Sequence, residues 1–408
     1  MFFKEEFRLS FILQVALAAL VFCYFMVFAD WVSRSAITLD SVINHAALCP
    51  TYFQSCESLY FLRALPDGYS QSMWYMLLFG SLIVSAYFLI CRRWSEAQWI
   101  LLPAYVWHTL NVFVLTYYGS GNYEYYVFVF GTILFFFPHK EFFLKLTLVL
   151  FYVMSTAAKI HPAWIAGGYF TNMSLGLPVF PEWSIPLFTN LVIVMEMVGA
   201  WFLLSKHPLV QRTVLLFFVI FHLYSGVLVE YRYPATVLPM LLIAFGPWYR
   251  YQKPPLDKKS VIGWTFIGLL CILQLTPKMV VGDEKLTLEA NKYGLYMFES
   301  NHQCIVSAEY IYTDGHVDTY MEVHNNPRFR CDPYMFWYRF NHVCEQDPRL
   351  SRIAWTFDHS INGDPFLRIV DTDNACDLEY KPFSHNEWIK TYTDNPEVIG
   401  WPAQNDYH

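Results

Sequence analysis

Lys159 is the residue of this chain best placed to do chemistry. It closes the apolar run Phe142 to Ala158 and is followed at once by Ile160-His161-Pro162-Ala163-Trp164. An ammonium at the mouth of a lipid-grade helix is costly unless it has a partner or a task. An amine kept from water loses part of its preference for charge and can then accept a proton near neutral pH. The competing reading is an anchor that snorkels to the headgroups. Two further ionisable groups lie in apolar runs, Glu196 within Met195-Glu196-Met197 and His222 between Phe221 and Leu223. Intramembrane groups of this kind face a bundle interior and pair with one another, so Glu196 with His222 or with Lys159 is the expected pairing, against a plain helix-packing contact. His108, in Trp107-His108-Thr109, is a weaker case because that stretch can satisfy itself locally.

The elements that must position these groups are membrane helices. Of 408 residues, 55% are hydrophobic, 19% aromatic and only 15% charged, with mean hydropathy +0.29, too oily for a soluble protein of this length. Runs near the roughly 20 residues needed to cross hydrocarbon begin with Leu9 to Phe28, Met73 to Cys91, Trp99 to Tyr118 and Tyr125 to Phe137. They continue with Phe142 to Ala158, Ile185 to Leu204, Leu209 to Val229, Ala235 to Phe245 and Val261 to Leu275. The reading is nine spans, the fourth and eighth being short. Basic residues concentrate in cytoplasmic loops. With the amino terminus inside, Lys4, Arg8, Arg92, Arg93, Lys140, Lys206, Arg250, Lys253, Lys258 and Lys259 all fall on the cytoplasmic side. The carboxyl-terminal tail is then extracytoplasmic, and the Lys159 end of its span is the outer one, where anchoring lysines are less expected. The first span reads as an uncleaved anchor.

Past Pro277 the composition turns to alternating polar and apolar residues, which predicts a membrane bundle over 1–280 and an extracytoplasmic β-rich α+β domain over 281–408. Strand periodicity covers Tyr293 to Ser300, Gln303 to Thr313 and His316 to His324, with Asp314-Gly315 as a type I′ hairpin signal. A helix from Pro333 to Cys344 and a second hairpin, Arg352 to Ile361 and Pro365 to Asp371, turning at Asn362-Gly363-Asp364, complete the reading. Between the fifth and sixth spans, Ile160 to Trp183 holds Gly167-Gly168 and three prolines and reads as a re-entrant or interfacial segment. Cys49, Cys56, Cys304, Cys331, Cys344 and Cys376 lie on the predicted outer face, an even number suited to disulfides.

Several chemistries lack their signatures. There is no nucleotide loop, Ser-His-Asp order, HExxH or CxxC, so no metal is expected. The net charge of -7 comes without a basic stripe, so no nucleic-acid partner is expected. His316, Glu322 and His324 share a strand face but read as surface residues. Asn172-Met173-Ser174 is a glycosylation acceptor pattern.

The stretch Ala158-Lys159-Ile160-His161-Pro162-Ala163-Trp164, followed by Gly168-Tyr169, resembles the vitamin K-dependent γ-glutamyl carboxylase family. Met195-Glu196-Met197-Val198-Gly199-Ala200, Phe218-Val219-Ile220-Phe221-His222 and Tyr310-Ile311-Tyr312-Thr313-Asp314-Gly315 resemble further motifs of that family in the same order. The resemblance implies that Lys159 is the base that deprotonates vitamin K hydroquinone. Reaction with O2 would then give an alkoxide that takes a γ-proton from glutamate, whose carbanion captures CO2. It also implies His222 as a second catalytic residue, binding roles for His161, Trp164, Tyr169, Glu196 and Asn122, and a disulfide between Cys56 and Cys344. A dry, lipid-accessible pocket suits such chemistry because it protects a carbanion from quenching. Two departures stand out. Gly121-Asn122-Tyr123 occupies the place of a family histidine, and the animal enzymes continue past this end point into a propeptide-binding domain. Two alternatives stay open: a relative using the same pocket for another quinone or lipid reaction without carboxylation, and a non-catalytic membrane protein whose outer domain binds a peptide or helps a partner mature.

Overall fold

The computed structural model describes residues 4–43, 48–62, 68–117, 122–171, 176–229, 232–296, 300–326 and 329–402. They form two compact units, Met1–Val153 with Met195–Leu270, and Met154–Val194 with Cys271–His408. The units do not divide where the composition changes, since the segment carrying Lys159 clusters with the tail.

The first unit is helical, built from α1 (Lys4–Leu9), α2 (Phe11–Ile43), α3 (Gly68–Ile90), α4 (Trp94–Leu110), α5 (Asn122–Phe136) and most of α6 (Lys140–Lys159). After α7 (Pro162–Ile165), α8 (Gly168–Thr171) and α9 (Ile185–Met197), which fall largely in the second unit, it continues with α10 (Pro208–Val229), α11 (Arg232–Phe245) and the start of α12 (Val261–Met279). Among the described residues six helical stretches are long and apolar enough to cross a membrane: Phe11–Val32, Met73–Ile90, Lys140–Lys159, Glu182–Leu204, Pro208–Leu228 and Val261–Met279. The expectation of nine is corrected to six. With 15 residues in α5 and 14 in α11, these helices reach only about 21 to 22 Å at ~1.5 Å per residue, short of the ~30 Å hydrocarbon core. Helix α4 has 17 residues, starts on polar residues, contains Pro103 and gives way to a π-helical turn over Asn111–Leu115.

Buried side-chain amides and carboxylates lock these helices together, since lipid supplies no hydrophobic drive for helix association. Gln98 donates to the Leu134 carbonyl at 2.8 Å and Gln211 to the Phe245 carbonyl at 2.7 Å. The Glu6 carboxylate accepts from the backbone amides of His139 (3.0 Å) and Lys140 (2.8 Å), placing an anion at the N-terminus of α6.

The second unit carries an antiparallel sheet of β1 (His302–Tyr312), β2 (Val317–His324), β3 (Leu350–Ile361), β4 (Phe366–Thr372) and β5 (Glu397–Gly400), in the order β2-β1-β3-β4-β5. Helix α13 (Pro333–Gln346) lies on one face, with Phe336 against Phe357 (5.4 Å between centroids) and Phe340 against Trp355 (5.3 Å). Asp332 caps it by accepting from the Tyr334 amide at 3.0 Å, with Pro333 in the first turn where its missing N–H costs nothing. Asn362 and Gly363 are both left-handed, so the β3–β4 connection is the type I′ turn. The β1–β2 connection is not: only Gly315 has positive φ, and its amide returns to the Tyr312 carbonyl at 3.0 Å. The strand expected over Tyr293 to Ser300 is also absent among its described residues, which form the end of a 3-10 turn and coil.

The implied Cys56–Cys344 bridge is overturned. The disulfides are Cys49–Cys56, Cys304–Cys331 and Cys344–Cys376, each within one unit and closing a loop of 7, 27 or 32 residues. Short closures bring cysteines together at little chain-entropy cost. The two longer bridges tie one end of α13 to β1 and the other to the 3-10 turn Ala375–Asp377 after β4, and each stabilises the unit by roughly 3 to 4 kcal/mol through restriction of the unfolded chain. Non-reducing peptide mapping is expected to recover Cys344 linked to Cys376, and a peptide joining Cys56 to Cys344 would refute this arrangement.

Candidate functional site

Helix α6 ends at Lys159 because the next residues abandon helical geometry. The His161 amide turns back to the Lys159 carbonyl at 2.8 Å, and His161 takes extended backbone angles. His161 then caps α7: its Nδ1 accepts from the Ala163 amide at 3.3 Å, and Pro162 occupies the first turn. Gly167, at φ 84°, reverses the chain between α7 and α8, where a Cβ would come within 2.7 Å of Ile185 Cγ2. The segment is thus broken into single turns, as expected for non-helical backbone near a membrane. Asn172, Met173 and Ser174, the glycosylation pattern, lie outside the described residues.

This break folds the aromatic side chains over the lysine. Lys159 is only 5% exposed, and its Nζ lies 5.6 Å from the centre of the Trp164 ring, within cation–π range. Trp164 is itself buried and packs against Tyr169 (4.9 Å) and Phe170 (5.4 Å). Asn301 donates to the Tyr169 carbonyl at 2.8 Å, fastening α8 to the residue before β1. The indole N–H of Trp164 is buried and has no acceptor among the described residues. A sheltered amine, two aromatic faces and an unused donor therefore converge within about ten residues of chain.

His161 couples this segment to the tail. With its Nδ1 accepting from the Ala163 amide, its Nε2 carries the proton and donates to Asp283 Oδ2 at 2.9 Å. Burial pushes the Asp283 carboxyl up, but the His161 bond and the Lys285 amide at 2.8 Å outweigh it and hold the group below its ordinary range. A depressed carboxyl stabilises the fold above its unfolded value, and that contribution is lost as pH falls. Asp283→Ala is expected to cost about 2 kcal/mol, as for a charged hydrogen bond, and to speed amide exchange over 162–171. Unchanged exchange there would show that the pair does not hold the segment.

The second unit also holds groups that the sequence did not single out. Asp364 and Tyr392 line a cavity of about 200 Å³ with Leu286, His359, Ile361, Pro365 and Leu367. Burial raises the Asp364 carboxyl, with His161 opposing it, and burial pushes the Tyr392 hydroxyl up to about 12. His359 Nδ1 donates to the Leu286 carbonyl at 2.8 Å, so its Nε2 must accept from His302 Nδ1 at 3.0 Å. None of these carries a local signature, since strand register brings His302 beside His359 and chain-distant turns supply Asp364 and Tyr392.

The remaining expected residues belong to the first unit. His222 is buried, and its Nε2 is 2.6 Å from the Tyr152 hydroxyl. Glu196 is buried near the end of α9. Asn122 opens α5, and its side chain lies outside the described residues. On the sheet, His316 pairs with Asp318 at 2.9 Å and His324 with Glu322 at 2.8 Å, while Arg339 reaches Glu322 at 3.3 Å. These are local polar contacts on the sheet unit, and burial holds the His324 imidazole below its ordinary value.

Comparison of the chain with protein-family models, with curated proteins and with solved structures finds no match.

Proposed function

We propose that the protein is a membrane enzyme in which Lys159 is the base toward a lipid-soluble reduced quinone, of the vitamin K hydroquinone type, coupled to γ-carboxylation of a glutamate with O2 and CO2. The observation that carries this reading is the enclosure of the Lys159 amine by Trp164 beside an indole N–H that has no acceptor among the described residues. A phenolic ring fits both features. Its face stacks on Trp164 and Tyr169, and an oxygen accepts the unused N–H while its proton goes to the amine. The reduced quinone, oxidised by O2, would supply the strong base for the glutamate γ-proton.

The chain's own contribution is placement and exclusion of water. Packing of Trp164 and Tyr169 keeps bulk solvent from the amine, so a proton transferred there does not simply exchange with water. His161, held by Asp283, fixes the turn that sets Trp164 over the lysine. In this reading the Lys159 end faces the extracytoplasmic side, the amino terminus is cytoplasmic and the sheet is outside, where a peptide or protein glutamate is presented.

Wild type and Lys159→Ala, purified in lipid nanodiscs, are assayed for quinone epoxide and for labelled CO2 fixed into a glutamate peptide. Both products from wild type and neither from the variant are expected. Equal activity in the two proteins ends the proposal, and epoxide without fixed CO2 selects the reaction without carboxylation.

A further inference from the structure

Two cavities open in the helical unit at the helix ends whose basic residues read as cytoplasmic, and both lie wholly within that unit. The smaller, about 390 Å³, is walled by Leu146 and Leu150 of α6, Trp201 and Leu204 ahead of α10, and Trp264 and Ile267 of α12. It follows α6 inward from Phe142 to Leu150, about 12 Å at ~1.5 Å per residue. The larger, about 770 Å³, opens among Ser10, Trp248, Arg250 and Lys253. The two meet at Phe142, Tyr249 and Gln252, which line both. One is apolar and deep; the other is polar and at the surface.

The chain around their junction is fastened in place. Lys145 Nζ donates to the Arg250 carbonyl at 3.0 Å, the Tyr249 hydroxyl to the Ser205 carbonyl at 3.1 Å and the Trp264 indole to the Pro255 carbonyl at 2.8 Å. The acids that line the larger cavity are engaged inside the protein. Glu141 accepts from Lys145 and from the Ser10 hydroxyl, each at 2.5 Å, and Glu6 accepts from the amides of His139 and Lys140. His139 in turn faces Asp257 at 3.0 Å. Arg250 and Lys253 are different: both are exposed, and neither forms an ion pair among the described residues. Phe11 and Trp248, each about half exposed, pack together at 4.5 Å beside them. Aromatic rings next to cations sit at headgroup level in a membrane, and basic pockets between helices hold anionic headgroups.

We infer that these two cavities bind one anionic phospholipid, with an acyl chain in the apolar cavity and the phosphate against Arg250 and Lys253. The two unpaired cations select an anionic headgroup. The depth and aromatic walls of the smaller cavity separate a held lipid from one merely attracted to a basic surface. This site stands independently of the Lys159 reading.

The test titrates full-length protein in mild detergent with phosphatidylglycerol and, separately, phosphatidylcholine, and counts bound lipid by native mass spectrometry. One phosphatidylglycerol per chain is expected, with phosphatidylcholine at least about tenfold weaker. Arg250→Gln combined with Lys253→Gln should weaken phosphatidylglycerol at least about tenfold, since each basic residue near a membrane surface is worth about fivefold toward anionic lipid. Leu204→Trp, which fills the apolar cavity from a half-buried position, should weaken it comparably. Lys258→Gln combined with Lys259→Gln removes two exposed cations that line neither cavity and should bind within a few-fold of wild type. An equal loss in that control pair would show diffuse attraction to a basic surface and overturn the inference. Equal binding of the two lipids, or unchanged affinity in the Arg250 and Lys253 double variant, would also overturn it. Binding that survives Leu204→Trp and is displaced by inorganic phosphate would make this a site for a free anion, again overturning it. The double variants alter exposed side chains, so they decide the question even if Leu204→Trp fails to fold.

Discussion

Acidification from pH 7 to pH 4.5 destabilises the sheet unit by roughly 2 to 3 kcal/mol through His359 alone. Burial drives the His359 imidazole from its ordinary value of 6.5 down to about 4, against the opposing hydrogen bond to the Leu286 carbonyl. The folded state therefore refuses a proton that the unfolded chain accepts over that interval. Since stability rises with pH wherever the unfolded state binds more protons, it must fall as pH drops from about 6.5 to about 4, by ~1.4 kcal/mol per pH unit at the steepest. His302 adds to the loss with the same sign, because burial, then His359, Arg330 and Lys285, hold it well below its ordinary value. Asp283 adds a further loss at the acid end. Hydrogen exchange of the β1 and β3 amides in the intact protein should report this, and His359→Gln should flatten the pH dependence. A wild-type profile that is level between pH 7 and 4.5 would show that the imidazole pair does not resist protonation.

Lys159→Ala should lower quinone-dependent turnover by about 10³-fold, within the ~10²- to 10⁴-fold range that a positioned acid or base contributes. The loss should fall on kcat, with KM changed only a few-fold, because the Trp164 and Tyr169 surfaces that hold the ring remain. Lys159→Arg should be as inactive as alanine, since a guanidinium does not give up its proton. A variant that raised KM while keeping kcat would make Lys159 a binding residue rather than the base.

How far the sequence foretold this arrangement depends on how local each feature is. Lys159, His161, Trp164 and Tyr169 were visible because they come together through successive breaks in a single short segment, and glycine and proline announce those breaks. Asp283, His302, His359 and Asp364 were not, because their partners lie 73 to 122 residues away or across strand register. The even cysteine count announced bridges, but the pairing of the two longer ones follows from where the ends of α13 pack, beside Cys304 on β1 and beside Cys376 in the turn after β4. The two hairpins make the same point: the turn expected at Asn362-Gly363-Asp364 forms there as type I′, whereas at Asp314-Gly315, which read as type I′, only the glycine is left-handed and the turn takes another form. Apolar runs likewise over-counted the spans, since hydropathy registers oiliness and overlooks where Pro103, the π turn or a polar start shortens a helix.

The most direct test of the central claim is chemical rescue of Lys159→Ala by small primary amines, with O2 uptake followed in nanodiscs supplied with reduced vitamin K. An alanine cavity beside Trp164 should admit methylamine or ethylamine, and the rate should climb with the concentration of free amine and with its basicity. If the variant is as fast as wild type without amine, or stays inactive whatever amine is supplied, Lys159 is not the base.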